Sequence, residues 1–169
     1  MTQSGWFQVV KQCLLAAVIF LLQLCFADRL RIFGVAPNFV LAFVLALSFL
    51  KAPRYSFCCA LILGFCLDSV SGRFFGTYTA LFTLVAFGIR EFYHSAFSEN
   101  FVMEAFYGLI TCGLYSLCYA FFTSIFEGNF WMLLYRTAFI EFIYNFVIFL
   151  LMLLIQKRNL KKNRSVFHL

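Results

Sequence analysis

Apolar runs separated by short polar turns follow one another along the whole chain. A helix of about 20 apolar residues crosses the hydrocarbon core of a bilayer, so runs of this kind predict membrane-spanning helices. We predict six spans, at about 9–27, 35–50, 55–70, 74–89, 101–126 and 130–155. The second, third and fourth runs are short for a crossing, and an alternative is that two of them form one re-entrant hairpin. The predicted fold is an all-α integral membrane bundle of six transmembrane helices, a single polytopic domain of residues 1–169.

The composition supports this class of protein. Hydrophobic residues make up 64% of the 169 residues, charged residues make up 12%, and the mean hydropathy is +0.92. A soluble domain is nearer to half apolar and a quarter charged. A water-soluble core in a chain this short has no room for so much apolar surface, and a soluble protein is therefore excluded.

Basic residues are distributed unequally between the predicted loops. With both termini in the cytoplasm, the inner set is Lys11, Lys51, Arg54, Arg90, Lys157, Arg158, Lys161, Lys162 and Arg164. The outer loops then hold Arg29, Arg31 and Arg73. This excess of inner positive charge agrees with the positive-inside rule and predicts a multi-pass protein with both termini cytoplasmic. The basic tail, residues 156–169, is then a topology anchor that faces anionic lipid, and the net charge of +6 needs no nucleic acid to explain it.

Asp68 and a set of glycines mark the turn between the third and fourth runs. A carboxylate at the end of a membrane helix costs free energy unless a specific partner satisfies it. Gly72 and Gly76 follow in the turn, and Gly64 precedes the acid by one helical turn. We predict that Asp68 accepts hydrogen bonds from backbone amides at the start of the fourth helix, whose positive end favours an anion, with Arg73 as a competing partner. Either arrangement fixes the outer hairpin and the face that it offers to a partner helix, and this stabilising role is favoured over direct contact of Asp68 with a partner or ligand.

Ionisable residues also fall within the predicted spans. Such a group near the bilayer centre costs about 2.5 to 3.5 kcal/mol, so it is normally paired or functional. Glu104, Arg136 and Glu141 belong to this class, and Asn145 shares a helix face with Glu141. Glu141, predicted near the midplane, is either a proton, cation or substrate site or a structural group bonded to a neighbouring tyrosine or arginine, and the structural interpretation is favoured. Glu104 begins its helix and is expected at the cytoplasmic interface, where an acid near a helix start is favourable.

Small residues recur one helical turn apart on the second, third and fourth spans. The pairs are Ala42 and Ala46, Ala60 and Gly64, and Gly76 and Ala80. Small residues at this spacing let membrane helices approach closely. They predict a compact sub-bundle, with the alternative that one of these faces receives a helix of a partner.

Sequence motifs of the common enzyme classes are absent from the chain. It contains no serine elbow, no H-E-x-x-H, no P-loop and no aspartate-rich metal box. The seven cysteines all lie in apolar runs without a C-x-x-C pair, and a cysteine in such a run acts as a small hydrophobe. We therefore predict no catalytic residue, no cofactor and no metal site, and a protein that is not an enzyme.

Two segments resemble one known family. The proline–asparagine pair that opens the second run, Pro37–Asn38, and the glycine–aspartate–glycine–glycine pattern of residues 64–76 resemble the rod shape-determining protein MreD family. Asn145 matches an asparagine that the family carries in its last helix. The candidate residues for structure or for a partner interface are Pro37, Asn38, Gly64, Asp68, Gly72, Arg73, Gly76, Glu104, Arg136, Glu141 and Asn145.

The resemblance implies a non-enzymatic scaffold of the bacterial cell-elongation machinery, located in the cytoplasmic (inner) membrane. Its implied partner is the bitopic membrane protein MreC. Through MreC the family is linked to the actin-like MreB filament and to RodA with its penicillin-binding partner, and so to peptidoglycan synthesis and cell shape.

The resemblance also implies a six-helix fold similar to the substrate-binding subunits of energy-coupling-factor transporters. The alternative function is therefore a vitamin-type, small-molecule binding subunit of an uptake transporter. Such a subunit needs a pocket in which a few polar groups converge. The chain shows few polar residues at its predicted outer surface, which favours the scaffold.

Overall fold

The computed structural model describes residues 3–32, 34–49, 53–71, 75–93, 101–127 and 138–166, and in these segments the protein forms helices and no β-strand. The helices are α1 (Gln3–Phe26), α2 (Phe39–Phe49), α3 (Pro53–Ser71), α4 (Thr77–Gly88), α5 (Phe101–Glu127) and α6 (Phe139–Val166). A π-helical turn, Ile89–Tyr93, continues α4. The all-helical fold predicted from the sequence is confirmed for this part of the chain.

Two of the helices are long and apolar enough to cross a membrane by themselves. They are Phe101–Ser124 of α5, with 24 residues, and Phe139–Arg158 of α6, with 20 residues. Val10–Phe26, Phe39–Phe49 and Ser56–Ser71 are shorter apolar helices. The number of spans therefore stays a prediction, while the membrane class rests on how apolar and polar residues are distributed over the fold.

That distribution is inverted relative to a water-soluble protein. Large apolar side chains cover the outside: Leu14, Leu84 and Leu114 are each more than half exposed. Polar side chains instead lie inside, and the buried set includes Asn38, Asp68, Glu104, Glu141 and Asn145. An apolar exterior is stable against lipid tails, whereas ionisable groups in a membrane bundle turn inward. The fold is that of a membrane protein.

Helix α2 lies at the centre of the bundle. It packs against α1, α3, α4 and α6, and no residue of the segment 40–49 is more than 3% exposed. A helix that is apolar on every face is stable in a protein core or against lipid, and the burial of this segment shows that α2 is in the core. The Ala42 and Ala46 pair therefore lies inside the fold, where small side chains let the neighbouring helices approach.

The remaining helices form close contacts at glycines. Helix α3 packs extensively on α4, and α6 packs on α2 and α5. Gly108 of α5 lies against the ring of Phe149 of α6, in a space that a Cβ would fill. The sequence patterns did not single out this contact, since the residues four positions from Gly108 are Glu104 and Cys112, neither of which is glycine or alanine.

Several helix boundaries differ from the predicted spans. Helix α2 begins at Phe39 and α4 at Thr77, each a few residues later than predicted, because extended or turn residues precede them. Helix α5 matches its predicted span closely. Helix α6 continues to Val166, through most of the predicted tail. Residues 130–137, predicted to begin the sixth span, lie outside the described residues.

Candidate functional site

The start of α2 is fixed by side chains from three other helices and from its own cap. Asn38 is the cap: its Oδ1 accepts a hydrogen bond from the backbone N–H of Leu41 at 2.9 Å. This bond satisfies one of the donors that every helix start leaves without an intrahelical partner. Pro37 precedes the cap, in a position where its missing N–H removes no helical bond.

Two longer-range hydrogen bonds join Asn38 to the other half of the chain. Its backbone N–H donates to Oδ1 of Asn145 on α6 at 2.9 Å. Its side-chain Nδ2 donates to the hydroxyl of Tyr115 on α5 at 3.0 Å. Asn145 and Tyr115 are at most 1% exposed. Buried hydrogen bonds between helices, such as these two, fix helix positions against one another.

Gln23, near the end of α1, completes the same cluster. Its Oε1 accepts the backbone N–H of Phe39 at 2.7 Å, and its Nε2 donates to the carbonyl of Pro37 at 3.0 Å. The carboxamide of Gln23 thus satisfies one backbone N–H and one backbone carbonyl at the start of α2. The sequence analysis missed Gln23; the signal that was available is a polar side chain near the end of an apolar run.

Asp68 forms a second polar cluster, at the α3–α4 corner. It is 1% exposed, and its two carboxylate oxygens accept the backbone N–H groups of Tyr78 and Thr79, each at 2.9 Å. The hydroxyl of Thr79 donates to the same carboxylate at 2.5 Å. An anion at the start of a helix binds free amides and is favoured by the helix dipole. The hydrogen bonds predicted between Asp68 and the start of the fourth helix are present.

Gly64 makes this corner sterically possible. It lies one turn before Asp68 on α3, and a Cβ at Gly64 would be 2.6 Å from the Cα of Thr79. Only a residue without a side chain lets α3 approach the first turn of α4 so closely. Gly76 precedes α4 with a φ of 97°, a left-handed conformation that glycine adopts without strain.

Three tyrosines in successive contact connect the Asp68 cluster to the cluster at the start of α2. The hydroxyls of Tyr78 and Tyr119 are 3.0 Å apart, and their stacked rings have centroids 5.6 Å apart. The ring of Tyr119 stacks in turn on that of Tyr115, at 6.1 Å. Tyr78 donates its backbone N–H to Asp68, and Tyr115 accepts from Asn38. The chain of contacts therefore runs from the α3–α4 corner to the start of α2.

A cavity of about 550 Å³ opens at the end of the bundle where α2 begins. We name it the end cavity, because α1, α3 and α5 end and α2, α4 and α6 begin around it. Tyr78 and Tyr119 form part of its wall. Its other polar lining residues are Gln23, Asp28, Arg31, Asn38, Ser71, Thr123 and Glu141. The fold gathers more polar groups here than the sequence led us to expect.

Glu141 is the buried acid of the end cavity. It is 5% exposed and lies in the first turn of α6. Its position near the midplane of a longer span stays a prediction, because residues 130–137 lie outside the described residues. The tyrosine hydroxyls of this region bond elsewhere: Tyr115 with Asn38, Tyr119 with Tyr78, and Tyr144 with the carbonyl of Leu30. Among the described residues, the ion pairs join Asp28 to Arg31, Arg90 to Glu91 and Glu104 to Lys157, and none includes Glu141.

Glu104 lies apart from this site. It is 2% exposed at the start of α5 and forms an ion pair with Lys157 near the end of the apolar part of α6. The ammonium of Lys157 also lies over the ring of Phe101, 5.5 Å from its centroid. This pair fixes the end of the bundle opposite the end cavity. The position of Glu104 at the cytoplasmic interface stays a prediction.

The predicted site residues therefore separate into groups. Pro37, Asn38, Glu141 and Asn145 surround the start of α2 and the end cavity, while Gly64, Asp68 and Gly76 form the α3–α4 corner. Gly72, Arg73 and Arg136 lie outside the described residues. In the part of the chain that the structure describes, no three His, Cys, Asp or Glu side chains converge as a metal site.

Comparison with known proteins identifies one family. The sequence model described as rod shape-determining protein MreD matches residues 4–159, nearly the whole chain. No curated protein matches the chain significantly. No solved structure matches it significantly either.

Proposed function

The chain belongs to the rod shape-determining protein MreD family, and from this premise we propose that it is a non-enzymatic scaffold that binds the bitopic membrane protein MreC. Its role lies in rod-shape determination. The family match over residues 4–159 is the observation that carries the proposal. Through MreC the scaffold supports peptidoglycan synthesis by RodA and its penicillin-binding partner and connects them to MreB filaments.

The proposed setting is the bacterial cytoplasmic membrane, with six spans and both termini in the cytoplasm. The distribution of Lys and Arg between the loops supports this topology. Single cysteines in a variant without the seven native ones test it. Arg29→Cys is expected to react with an impermeant maleimide added to intact spheroplasts, and Arg90→Cys only after lysis.

The partner helix is proposed to lie in an apolar groove between α3 and α4. Of the three small-residue pairs, two are buried in contacts between helices of this chain. Ala42 and Ala46 are buried in α2, and Ala60 and Gly64 are buried on α3, with Gly64 against the start of α4. The third pair, Gly76 and Ala80, remains at the surface.

The shape of this groove suits one transmembrane helix. It has a volume of about 590 Å³ and an almost entirely apolar lining. Gly76, Thr79, Ala80 and Thr83 form its small-residue floor; the larger side chains around it are Phe57, Leu61, Phe65, Phe75, Leu84 and Phe87. A floor of small residues allows close backbone approach, and apolar walls pack against the side chains of a membrane helix. The Asp68 corner fixes both walls, so the groove is a rigid docking face.

Co-purification with MreC in mild detergent tests the scaffold. Ala80→Phe fills the groove without touching the core, since Ala80 is exposed. We expect it to accumulate normally, to lose most of the co-purified MreC and to fail in restoring rod shape to depleted cells. The matched control is Leu114→Phe, on an exposed surface of α5, which is expected to retain both. A stable complex with Ala80→Phe excludes this groove, and no complex with the unaltered chain excludes the scaffold.

A second candidate function is a small-molecule binding subunit of an uptake transporter. The end cavity is the observation that favours it, because its size lies in the range of small-ligand pockets, about 300 to 1,000 Å³. Co-purification of the chain with ATPase subunits instead of MreC would establish this function in place of the scaffold.

A further inference from the structure

The end cavity contains a buried carboxylate that forms no ion pair among the described residues. Glu141 lines the cavity and is 95% buried, since 5% of its surface is exposed. Arg31, on the same cavity wall, pairs with Asp28 at 2.8 Å, and both of these side chains are more than half exposed. A carboxylate removed from water is costly unless a cation or hydrogen-bond donors satisfy it. The fold itself satisfies Asp68 with three donors, whereas Glu141 has the side-chain amide of Asn145 and no ion pair among the described residues.

The walls of the cavity are suited to an organic cation. Tyr78 and Tyr119 line it with stacked rings. Aromatic rings attract ammonium groups, and more strongly when water is excluded. The single buried carboxylate does not meet the several oxygen ligands that a divalent metal ion requires. The volume of about 550 Å³ is also far larger than a bare ion needs.

We propose that the end cavity binds a primary amine, with its ammonium group at the carboxylate of Glu141 and its carbon skeleton beside Tyr78 and Tyr119. The ammonium group belongs either to a free small amine or to the ethanolamine headgroup of a membrane lipid. A primary amine donates hydrogen bonds to the carboxylate, which a quaternary ammonium lacks. This site is independent of the groove between α3 and α4 and of the scaffold proposed there.

Native mass spectrometry of the full chain in detergent tests the proposal with three probes. They are short-chain phosphatidylethanolamine, short-chain phosphatidylcholine and free ethanolamine. We expect phosphatidylethanolamine or ethanolamine to bind one molecule per chain, and phosphatidylcholine to bind at least about tenfold more weakly. Binding of the ethanolamine lipid alone assigns the site to a headgroup, and binding of free ethanolamine assigns it to a soluble amine. Binding of neither, or equal binding of the choline lipid, overturns the proposal.

Three variants test whether the amine binds in the end cavity. Glu141→Gln removes the charge at nearly constant size and is expected to weaken amine binding at least about tenfold. Glu91→Gln makes the same change at an exposed acid elsewhere and is expected to leave it unaltered. Val70→Trp, at an exposed position on the cavity wall, is expected to weaken binding by occupying space. Because Val70 is exposed, this variant is expected to fold even where Glu141→Gln does not. Unchanged binding in both cavity variants places the amine elsewhere and overturns the proposal.

A failed amine test and a failed scaffold test are distinguishable. The first is measured on the isolated chain with small probes, whereas the second is measured as the amount of MreC retained. Ala80→Phe, outside the end cavity, is expected to bind the amine normally.

Discussion

Asp68 and Glu141 are both buried carboxylates beside the first turn of a helix and near the same end of the bundle, but their surroundings differ. Asp68 accepts hydrogen bonds from two backbone amides and a hydroxyl, and these donors lie 10 or 11 residues away in the chain. Glu141 faces a cavity of about 550 Å³. No ion pair among the described residues reaches it. The fold gives Asp68 three hydrogen-bond donors, whereas it gives Glu141 the side-chain amide of Asn145 and no ion pair among the described residues.

This difference suggests two roles: the carboxylate of Asp68 stabilises the fold, whereas the carboxylate of Glu141 is available to bind a ligand. A group that the fold satisfies completely contributes to stability, and its removal leaves buried donors without partners. A group that the fold leaves open contributes little to stability and becomes useful when a ligand arrives. The four predictions below test this contrast, beginning with the change expected to destabilise the protein most.

Asp68→Leu is expected to have the largest effect. It leaves the amides of Tyr78 and Thr79 and the hydroxyl of Thr79 without their acceptor, a loss of about 3 kcal/mol. The apparent Tm in detergent, followed by size-exclusion chromatography after heating, should fall by about 10 °C. Asp68→Asn keeps one acceptor oxygen and nearly the same size, so its loss should be less than half as large.

Ser69→Ala is the matched control for Asp68, because Ser69 is exposed and its hydroxyl bonds only to the carbonyl of Phe65 within its own helix. This substitution should leave the apparent Tm unchanged. Normal accumulation and full complementation by both Asp68 variants would mean that this carboxylate is dispensable, and the structural half of the comparison would be wrong.

Gly64→Ala is expected to rank second, with a loss of about 2 kcal/mol. The new methyl group meets the backbone of Thr79, which cannot rotate away as a side chain can. The shift of α4 also lengthens the hydrogen bonds to Asp68. Gly88→Ala is the control: no atom lies within 4 Å of a Cβ at Gly88, so this substitution should be neutral or slightly stabilising. Equal melting temperatures for the two variants would show that α3 and α4 are not held this closely.

Asn38→Ala is expected to cost about 1.5 kcal/mol, through loss of a helix cap and of one bond between helices. Tyr115→Phe removes only the second of these, so it should cost about half as much. The double variant should resemble Asn38→Ala alone, because both changes remove the same interhelical bond. Fully additive losses in thermal unfolding would exclude a direct coupling between the two side chains.

Glu141→Gln is expected to have the smallest effect on stability, less than about 0.5 kcal/mol in the absence of ligand. It breaks no ion pair formed by the described residues. Glu104→Gln makes the same change in the acid that pairs with Lys157 and should destabilise clearly more. A loss for Glu141→Gln as large as that for Asp68→Leu would make Glu141 a structural acid and remove the contrast.

The sequence predicted the Asp68 corner because all of its parts are local. An acid at the end of one helix, glycines in the turn and the first amides of the next helix follow one another within 16 residues, from Gly64 to Thr79. A short turn leaves few arrangements for these groups. The spacing of Gly64 and Asp68 on one helix face therefore identified the corner before its geometry was known.

The α2 cluster was predictable only in part. Asn38 and Asn145 were both candidate residues for structure or for a partner interface. They are 107 residues apart, and no local pattern shows that the backbone N–H of Asn38 donates to the side chain of Asn145. A neighbouring tyrosine or arginine was the partner expected for Glu141, whereas the structure joins the hydroxyl of Tyr115 to Asn38. Contacts of this kind depend on how helices are arranged around α2, and apolar periodicity does not distinguish between arrangements when nearly every helix face is apolar.

The shortness of α2 has a consequence for the electrical insulation of the membrane. Its 11 residues extend about 16 Å, roughly half of the 30 Å hydrocarbon core, and the end cavity lies beyond its first residue. Along the axis of the bundle, the barrier to ions is therefore the densely packed segment 40–49, none of whose residues is more than 3% exposed. We expect a charged side chain introduced there to destabilise the fold and to thin this barrier.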